Sequence, residues 1–223
     1  MIKKTLIILA SILTVGIGIT VMSAFEAHVI NVTAHIENAL KVMPFEDLNF
    51  GTVFPQEHLE KRIWITTSKS FCNSTQRRVL NIDYKIVQKP KCVNSVGEYA
   101  PVGYDTHQCP DGYEEMPLLC PYLSKLPVYE DPAPYTDYGV SAFHDPSDPN
   151  SIATGTINKD HDLLDEWLID LAAPCFKGMC SQDFDEFVDA HNSGVDSHDY
   201  ILPAELESSD FGCDLWIEIT DIY

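Results

Sequence analysis

Histidine and acidic side chains are the groups in this sequence that could hold a metal ion or transfer a proton. Helical zinc proteases need two histidines at positions i and i+4 with a glutamate between them, and His58, His161 and His191 lack that spacing. The sequence also lacks a Gly-x-Ser-x-Gly nucleophile elbow, a phosphate-binding glycine loop and paired Cys-x-x-Cys zinc knuckles. It therefore predicts no catalytic residue, no zinc site and no enzyme activity.

The segment 189–200 comes closest to a metal-binding motif. Asp189 stands where a calcium loop has its first ligand, and Gly194 stands where that loop makes its sharp turn. His191, however, takes a position that requires an oxygen ligand, and Tyr200 replaces the bidentate glutamate. We interpret the segment as a loop after a helix and expect no cofactor, with calcium as the one ion left open.

Cysteine is the other chemically distinctive residue type. The seven cysteines are Cys72, Cys92, Cys109, Cys120, Cys175, Cys180 and Cys213. In an exported chain they predict a disulfide framework, and their odd number leaves one thiol free or bonded to another chain. Cys175 and Cys180 are near enough for a local bridge, and a bridge from Cys213 would fasten an insertion to the last strand. A reactive thiol beside His144 or His191 is the alternative.

Acidic residues dominate the charge: 34 Asp and Glu oppose 14 Lys and Arg, giving a formal net charge of −20. This balance argues against nucleic acid as a partner, because phosphate contacts require Lys and Arg. It would also repel an anionic membrane surface. An acidic surface that keeps an exported protein soluble is one interpretation, and cation binding outside the cell is the other.

Residues 1–24 have the pattern of an export signal. Lys3 and Lys4 precede an uncharged apolar run, and small residues follow at Ser23 and Ala24. The run is long enough to serve as an uncleaved membrane anchor instead. Because no second apolar run of that length occurs, we expect residues 25–223 to form a secreted or cell-surface domain.

Alternation of apolar and polar residues predicts the elements that would position any site. The closing segment 211–220 alternates in this way, and so do 30–36, 61–67 and 79–87. The alternation slips at Asp221, so the last strand should end near residue 220. A chain that closes on a strand must pair it with earlier ones, which predicts a mainly β, antiparallel, jelly-roll-like sandwich.

Segment 92–200 is predicted as an insertion that contains a Pro/Tyr-rich loop and a pair of helices. The first helix should begin at Asp160 or Asp162 and carry Leu164 and Trp167 at helical spacing, and the second should be capped by Ser181. Tyrosines in the loop could provide a recognition surface. The candidate contact residues are Trp64, Trp216, Tyr99, Tyr104, Tyr113, Tyr129, Tyr135 and Tyr138.

Three features together resemble a known group of exported proteins. They are the export signal that runs into a strand beginning near Phe25, the segment Phe-Gly-Thr-Val-Phe-Pro-Gln-Glu at 50–57, and the ending Phe-Gly-Cys-Asp-Leu-Trp-Ile-Glu-Ile-Thr at 211–220. The chain is similar to β-sandwich proteins of the TasA and camelysin group, particularly to larger relatives in candidate-phylum bacteria. None of these features is catalytic.

This resemblance implies a jelly-roll subunit of the cell surface or extracellular matrix that forms filaments by donating an N-terminal strand to its neighbour. The candidate donor residues are Phe25, Ile30, Val32, Ala34 and Ile36. The alternatives are pairing of that strand within its own chain, a monomeric surface module that binds other surface proteins through its tyrosines, and a camelysin-like metalloprotease.

Overall fold

A computed structural model of the chain describes residues 37–44, 47–73, 77–129, 131 and 133–223. Residues 37–223 form one compact unit. The predicted export signal, the predicted strand at 30–36 and all five candidate donor residues lie outside the described residues. Within the described part of the chain, no helix combines the length and the apolar character needed to cross a membrane.

The described chain is mainly β, as predicted, with three antiparallel sheets. The strands are β1 (Leu40–Met43), β2 (His58–Thr67), β3 (Asn81–Lys89), β4 (Lys91–Asn94), β5 (Tyr99–Pro101), β6 (Tyr113–Glu115), β7 (Leu126–Pro127), β8 (Ala153–Asn158), β9 (Leu164–Ala172) and β10 (Asp214–Ile222). The first sheet has the order β1-β2-β9-β7, the second β10-β3-β8 and the third β5-β4-β6.

One hydrophobic core is shared by the first and second sheets. Alternate residues of β2, such as Ile63 and Ile65, are buried in it, while Trp64 between them is half-buried. Strand β3 contributes Tyr84 and Ile86 from the second sheet. The period-two pattern in these two segments therefore identified the inward-facing side chains correctly, because successive residues of a strand point to opposite faces.

The helix predicted from Asp160 or Asp162 onward is wrong, because Leu164–Ala172 forms strand β9. Trp167 and Leu171 also fit a period of two once Ile169 is counted, and all three are buried. A short apolar run is ambiguous between helix and strand. Here nine paired positions along β2 decide the outcome, and these long-range partners are invisible to local spacing.

Two α-helices occur in the described chain, α1 (Lys69–Asn73) and α2 (Phe184–His191). Helix α1 was not predicted. Helix α2 matches the second predicted helix and buries Phe184 and Val188. Ser181, however, does not cap it: the residue before the helix is Asp183, and the Ser181 hydroxyl bonds to the side chains of Asp183 and Gln56.

Strand β10 closes the unit by pairing with β3 along its whole length. It continues two residues beyond the predicted end at 220, because a register shift between Ile219 and Asp221 absorbs the slip in the alternation. Leu215 and Ile217 are half-buried, whereas Ile219 is 41% exposed. The outer half of this strand therefore contributes little to the core.

Within the segment predicted as an insertion, β8 and β9 pair with β3 and β2 and so belong to the two large sheets. The rest of that segment includes most of the small third sheet and two 3-10 helices. The disulfides are Cys92–Cys109, Cys120–Cys213 and Cys175–Cys180. They confirm the predicted framework and indicate an oxidising compartment. Cys72, on α1, is the free thiol and is exposed.

Candidate functional site

A cavity of about 720 Å³ lies between β1 and the first half of β10, lined mostly by apolar residues but also by Asp47, Lys91 and Asp214. Val42 and Ile63 line it from the first sheet, Leu215 and Ile217 line it from β10, and Phe50 contributes from the intervening loop. Its walls thus come from the two sheets that share the core. We call this cavity the groove.

Both strands that flank the groove lie at the edge of their sheets. Among the strands of the described chain, β1 pairs only with β2, and β10 pairs only with β3. Ile219 and Ile222 near the end of β10 are 41% and 46% exposed. An edge strand presents unpaired N–H and C=O groups to any extended segment that approaches it. The groove therefore combines apolar walls with free backbone edges.

Part of the predicted aromatic contact surface lies beside the groove. Tyr104 stacks on Trp216 with ring centroids 6.0 Å apart, and Nζ of Lys89 lies 3.5 Å from the Trp216 centroid. Nζ of Lys91 lies 4.8 Å from the ring centroid of Tyr99. Aromatic faces attract such ammonium groups, so the five side chains form two adjacent aromatic and cationic groups, of which Lys91, Tyr99 and Trp216 line the groove.

The other predicted contact residues are not all equally accessible. Tyr129 and Tyr138 are 68% and 65% exposed, whereas Tyr113 and Tyr135 are half-buried. Trp64 belongs to β2, opposite Met43 and Glu166 in the first sheet. The structure thus brings together Tyr99, Tyr104 and Trp216, and it places Trp64 on a different strand pair.

His58, Asp170 and His191 form a cluster that sequence spacing did not reveal. Each offers one nitrogen or oxygen atom, and these atoms lie within 4.8 Å of one another. Nε2 of His58 lies 2.7 Å from Oδ1 of Asp170. This distance is short enough for an ion pair between the imidazole and the carboxylate.

The electrostatics of this histidine cluster suit a metal ligand set. Nδ1 of His191 donates a hydrogen bond to the backbone oxygen of Phe187 at 2.8 Å, which leaves Nε2 with its lone pair. Burial raises the pKa of Asp170, although His58 opposes the shift. Two histidines and one carboxylate are a donor set that Zn²⁺ accepts, with a fourth position left open.

The histidine cluster is assembled by packing from three separate elements. His58 begins β2, Asp170 lies near the end of β9, and His191 ends α2. Because the residues are far apart in sequence, only the β2–β9 pairing and the docking of α2 join them. A correct assignment of β9 as a strand would have placed Asp170 near His58.

A buried polar network lies elsewhere in the core. Lys125 is fully buried, and its Nζ lies 3.3 Å from Nε2 of His144. Gln88 Nε2 lies 2.8 Å from the same nitrogen, and Nδ1 of His144 lies 2.8 Å from the backbone oxygen of Ser141. Burial lowers the pKa of Lys125 to about 7 and that of His144 to about 4, the latter with help from Lys125.

The segment 189–200, predicted as a loop after a helix, begins inside α2. Asp189 lies on the helix. Asp196 accepts a hydrogen bond from the backbone N–H of His198 and so caps a 3-10 helix at Ser197–Tyr200.

No family model, curated protein or solved structure matches this chain.

Proposed function

We propose that this chain is an exported, disulfide-bridged β-sandwich subunit of the cell surface or extracellular matrix, and that it assembles by strand donation. In this mechanism, residues 25–36 of one subunit enter the groove of the next. The observation that carries the proposal is the groove itself, whose apolar walls and two edge strands fit an added strand. The resemblance to the TasA and camelysin group supports the same function.

The predicted donor segment complements the groove chemically. Ile30, Val32, Ala34 and Ile36 share one face of the predicted strand, and they would meet apolar side chains such as Leu215 and Ile217. The backbone of the donor would pair with the edge of β10 or β1, which gives affinity, while its alternate side chains give register.

Assembly of the mature chain, residues 25–223, tests the proposal. The double variant Ile30→Asp/Val32→Asp should remain monomeric where the unaltered chain forms filaments, because each aspartate would meet mostly apolar side chains, and Lys91 on the groove lining already pairs with Asp214. Size-exclusion chromatography with light scattering and negative-stain microscopy measure the outcome.

The matched control is Asn31→Asp/Thr33→Asp, which adds the same charge on the other face of the same predicted strand. This control should assemble like the unaltered chain. Removal of residues 25–36 should also prevent assembly. Filaments of equal length from the donor-face variant and the control would overturn strand donation, and equal assembly by the truncated chain would do the same.

A monomeric binding module is the alternative within the same compartment. The adjacent side chains of Tyr99, Tyr104 and Trp216, together with the exposed Tyr129 and Tyr138, favour it, because tyrosine offers large contact area at a low entropic cost. Such a module would stay monomeric with or without residues 25–36.

A metal-dependent hydrolase is the second candidate function, and the histidine cluster is the observation that favours it. In this candidate His58, Asp170 and His191 hold Zn²⁺, which would supply an activated water at its open position. Hydrolysis of a protein substrate that is lost with His191→Ala but kept with His198→Ala, an exposed histidine, would favour this enzyme over the structural subunit.

A further inference from the structure

Four aspartates converge where the Pro/Tyr-rich loop meets the β8–β9 turn. Asp131, Asp137 and Asp165 each offer a carboxylate oxygen within 4.8 Å of the others. Asp162, in the turn, interacts through its carboxyl group with those of Asp131 and Asp165. We call these four residues the aspartate cluster. Two of its members belong to the loop and two to the turn and β9, so the cluster bridges parts of the chain that are distant in sequence.

The buried oxygens of the aspartate cluster are incompletely bonded. Asp165 is 97% buried, since only 3% of its surface is exposed. Its Oδ2 accepts a hydrogen bond from the Tyr84 hydroxyl, and the Tyr84 hydroxyl in turn accepts one from Nε1 of Trp167. No N–H or hydroxyl donor of the described residues reaches the buried oxygens Oδ1 of Asp165 and Oδ2 of Asp162, and the carboxyl groups of these two residues lie together. A buried carboxylate oxygen without a partner is costly.

No positive side chain of the described residues forms an ion pair with the aspartate cluster; the nearest ion pairs in sequence join Arg62 to Glu166 and Arg77 to Asp160. Four acidic groups at this spacing repel one another unless a proton or a cation lies among them. The formal net charge of the whole chain is −20, so the rest of the protein does not offset the negative charge of the cluster.

We propose that the aspartate cluster is a Ca²⁺ site. Its ligands are all carboxylate oxygens, which hard cations prefer over soft ones. Ca²⁺ accepts several carboxylates in irregular geometry, whereas Mg²⁺ demands a near-ideal octahedron and retains most of its water. The bound ion neutralises the mutual repulsion and fastens the loop that carries Tyr135 and Tyr138 to the turn before β9. This site is separate from the segment 189–200 and from the histidine cluster.

Thermal unfolding of the mature chain in millimolar Ca²⁺ and in chelator tests the site. The unaltered chain should unfold several degrees higher in Ca²⁺ than in chelator, because an ion that binds only the folded state stabilises it. Asp137→Asn keeps the oxygen that accepts the Thr156 N–H but removes a ligand charge. It should therefore unfold higher than the unaltered chain in chelator and lower in Ca²⁺, a reversal that a purely structural aspartate would not produce.

The matched control is Asp111→Asn, which removes one charge at an exposed position and should follow the unaltered chain in both conditions. Calorimetric titration with Ca²⁺ should show binding that Asp137→Asn weakens by about tenfold or more. Equal unfolding temperatures in Ca²⁺ and chelator would overturn the site, as would an identical response of Asp137→Asn and Asp111→Asn. An equal effect of Mg²⁺ at the same concentration would overturn the assignment to calcium.

Discussion

Lys125 is a fully buried lysine whose ammonium group has a histidine, and no carboxylate, as its hydrogen-bond partner. Burial lowers the pKa of Lys125 from 10.5 to about 7, so the folded chain releases this proton at a lower pH than the unfolded chain does. Between about pH 7 and pH 10.5 the unfolded state therefore binds more protons than the folded state. The free energy of unfolding should therefore rise with pH in this window, and the burial cost is fully present below pH 7.

Lys125→Met should abolish that contribution to the pH dependence. The variant removes the charge but keeps an apolar side chain of similar length, so it should be more stable than the unaltered chain near pH 7 and lose the advantage toward pH 10. The expected difference in slope is at most about 1.4 kcal/mol per pH unit. Urea unfolding across this pH range, with Cys72 alkylated to prevent thiol exchange, measures it. If the free energy of unfolding of both proteins changed with pH in the same way, the lowered pKa of Lys125 would be contradicted.

At the residue scale, sequence patterns identified core positions better than sites. Ile63, Ile65 and Ile86 could be placed in the core because alternation reports which face a strand buries. The histidine cluster and the aspartate cluster could not be predicted from the sequence. Their members come from separate elements, and only long-range pairing joins them. A search for motifs at fixed spacing cannot detect such sets.

At the element scale, β9 shows where local reasoning fails. Leu164, Trp167 and Leu171 fit helical spacing, yet the same segment fits a strand, and pairing with β2 decides between the two. The closing strand could be predicted because Leu215, Ile217 and Ile219 recur at every second position. Its continuation beyond 220 could not, because the register shift at Ile219 depends on β3.

Disulfides that close loops of different length should differ in their contribution to stability. Cys120–Cys213 joins residues 93 positions apart, whereas Cys175–Cys180 spans 5. Closing a longer loop removes more conformational entropy from the unfolded chain. Replacing the first pair by alanine should therefore lower the free energy of unfolding by roughly 4–5 kcal/mol, and replacing the second pair should lower it by about 2 kcal/mol. Chemical denaturation compares the two double variants. A larger loss from the Cys175–Cys180 pair would contradict the entropic explanation.

At the scale of the whole molecule, the bridge from Cys120 to Cys213 fastens the start of β10 beside the groove. Cys213 and the neighbouring Leu119 both line this cavity, so the disulfide holds one of its walls. The aspartate cluster, if it binds Ca²⁺ as proposed, would fasten the loop that precedes β8. Both features would then keep the unit rigid in the proposed strand-donating assembly.

Binding of a synthetic peptide of residues 25–36 to the groove tests strand donation most directly. The acceptor is the mature chain with Ile30→Asp/Val32→Asp, whose own segment no longer competes for the groove. Trp216 lines the groove, so its fluorescence reports the titration. We predict saturable binding of the unaltered peptide and none of a peptide carrying the same two aspartates. Absence of binding by the unaltered peptide, or equal binding of both peptides, would contradict strand donation.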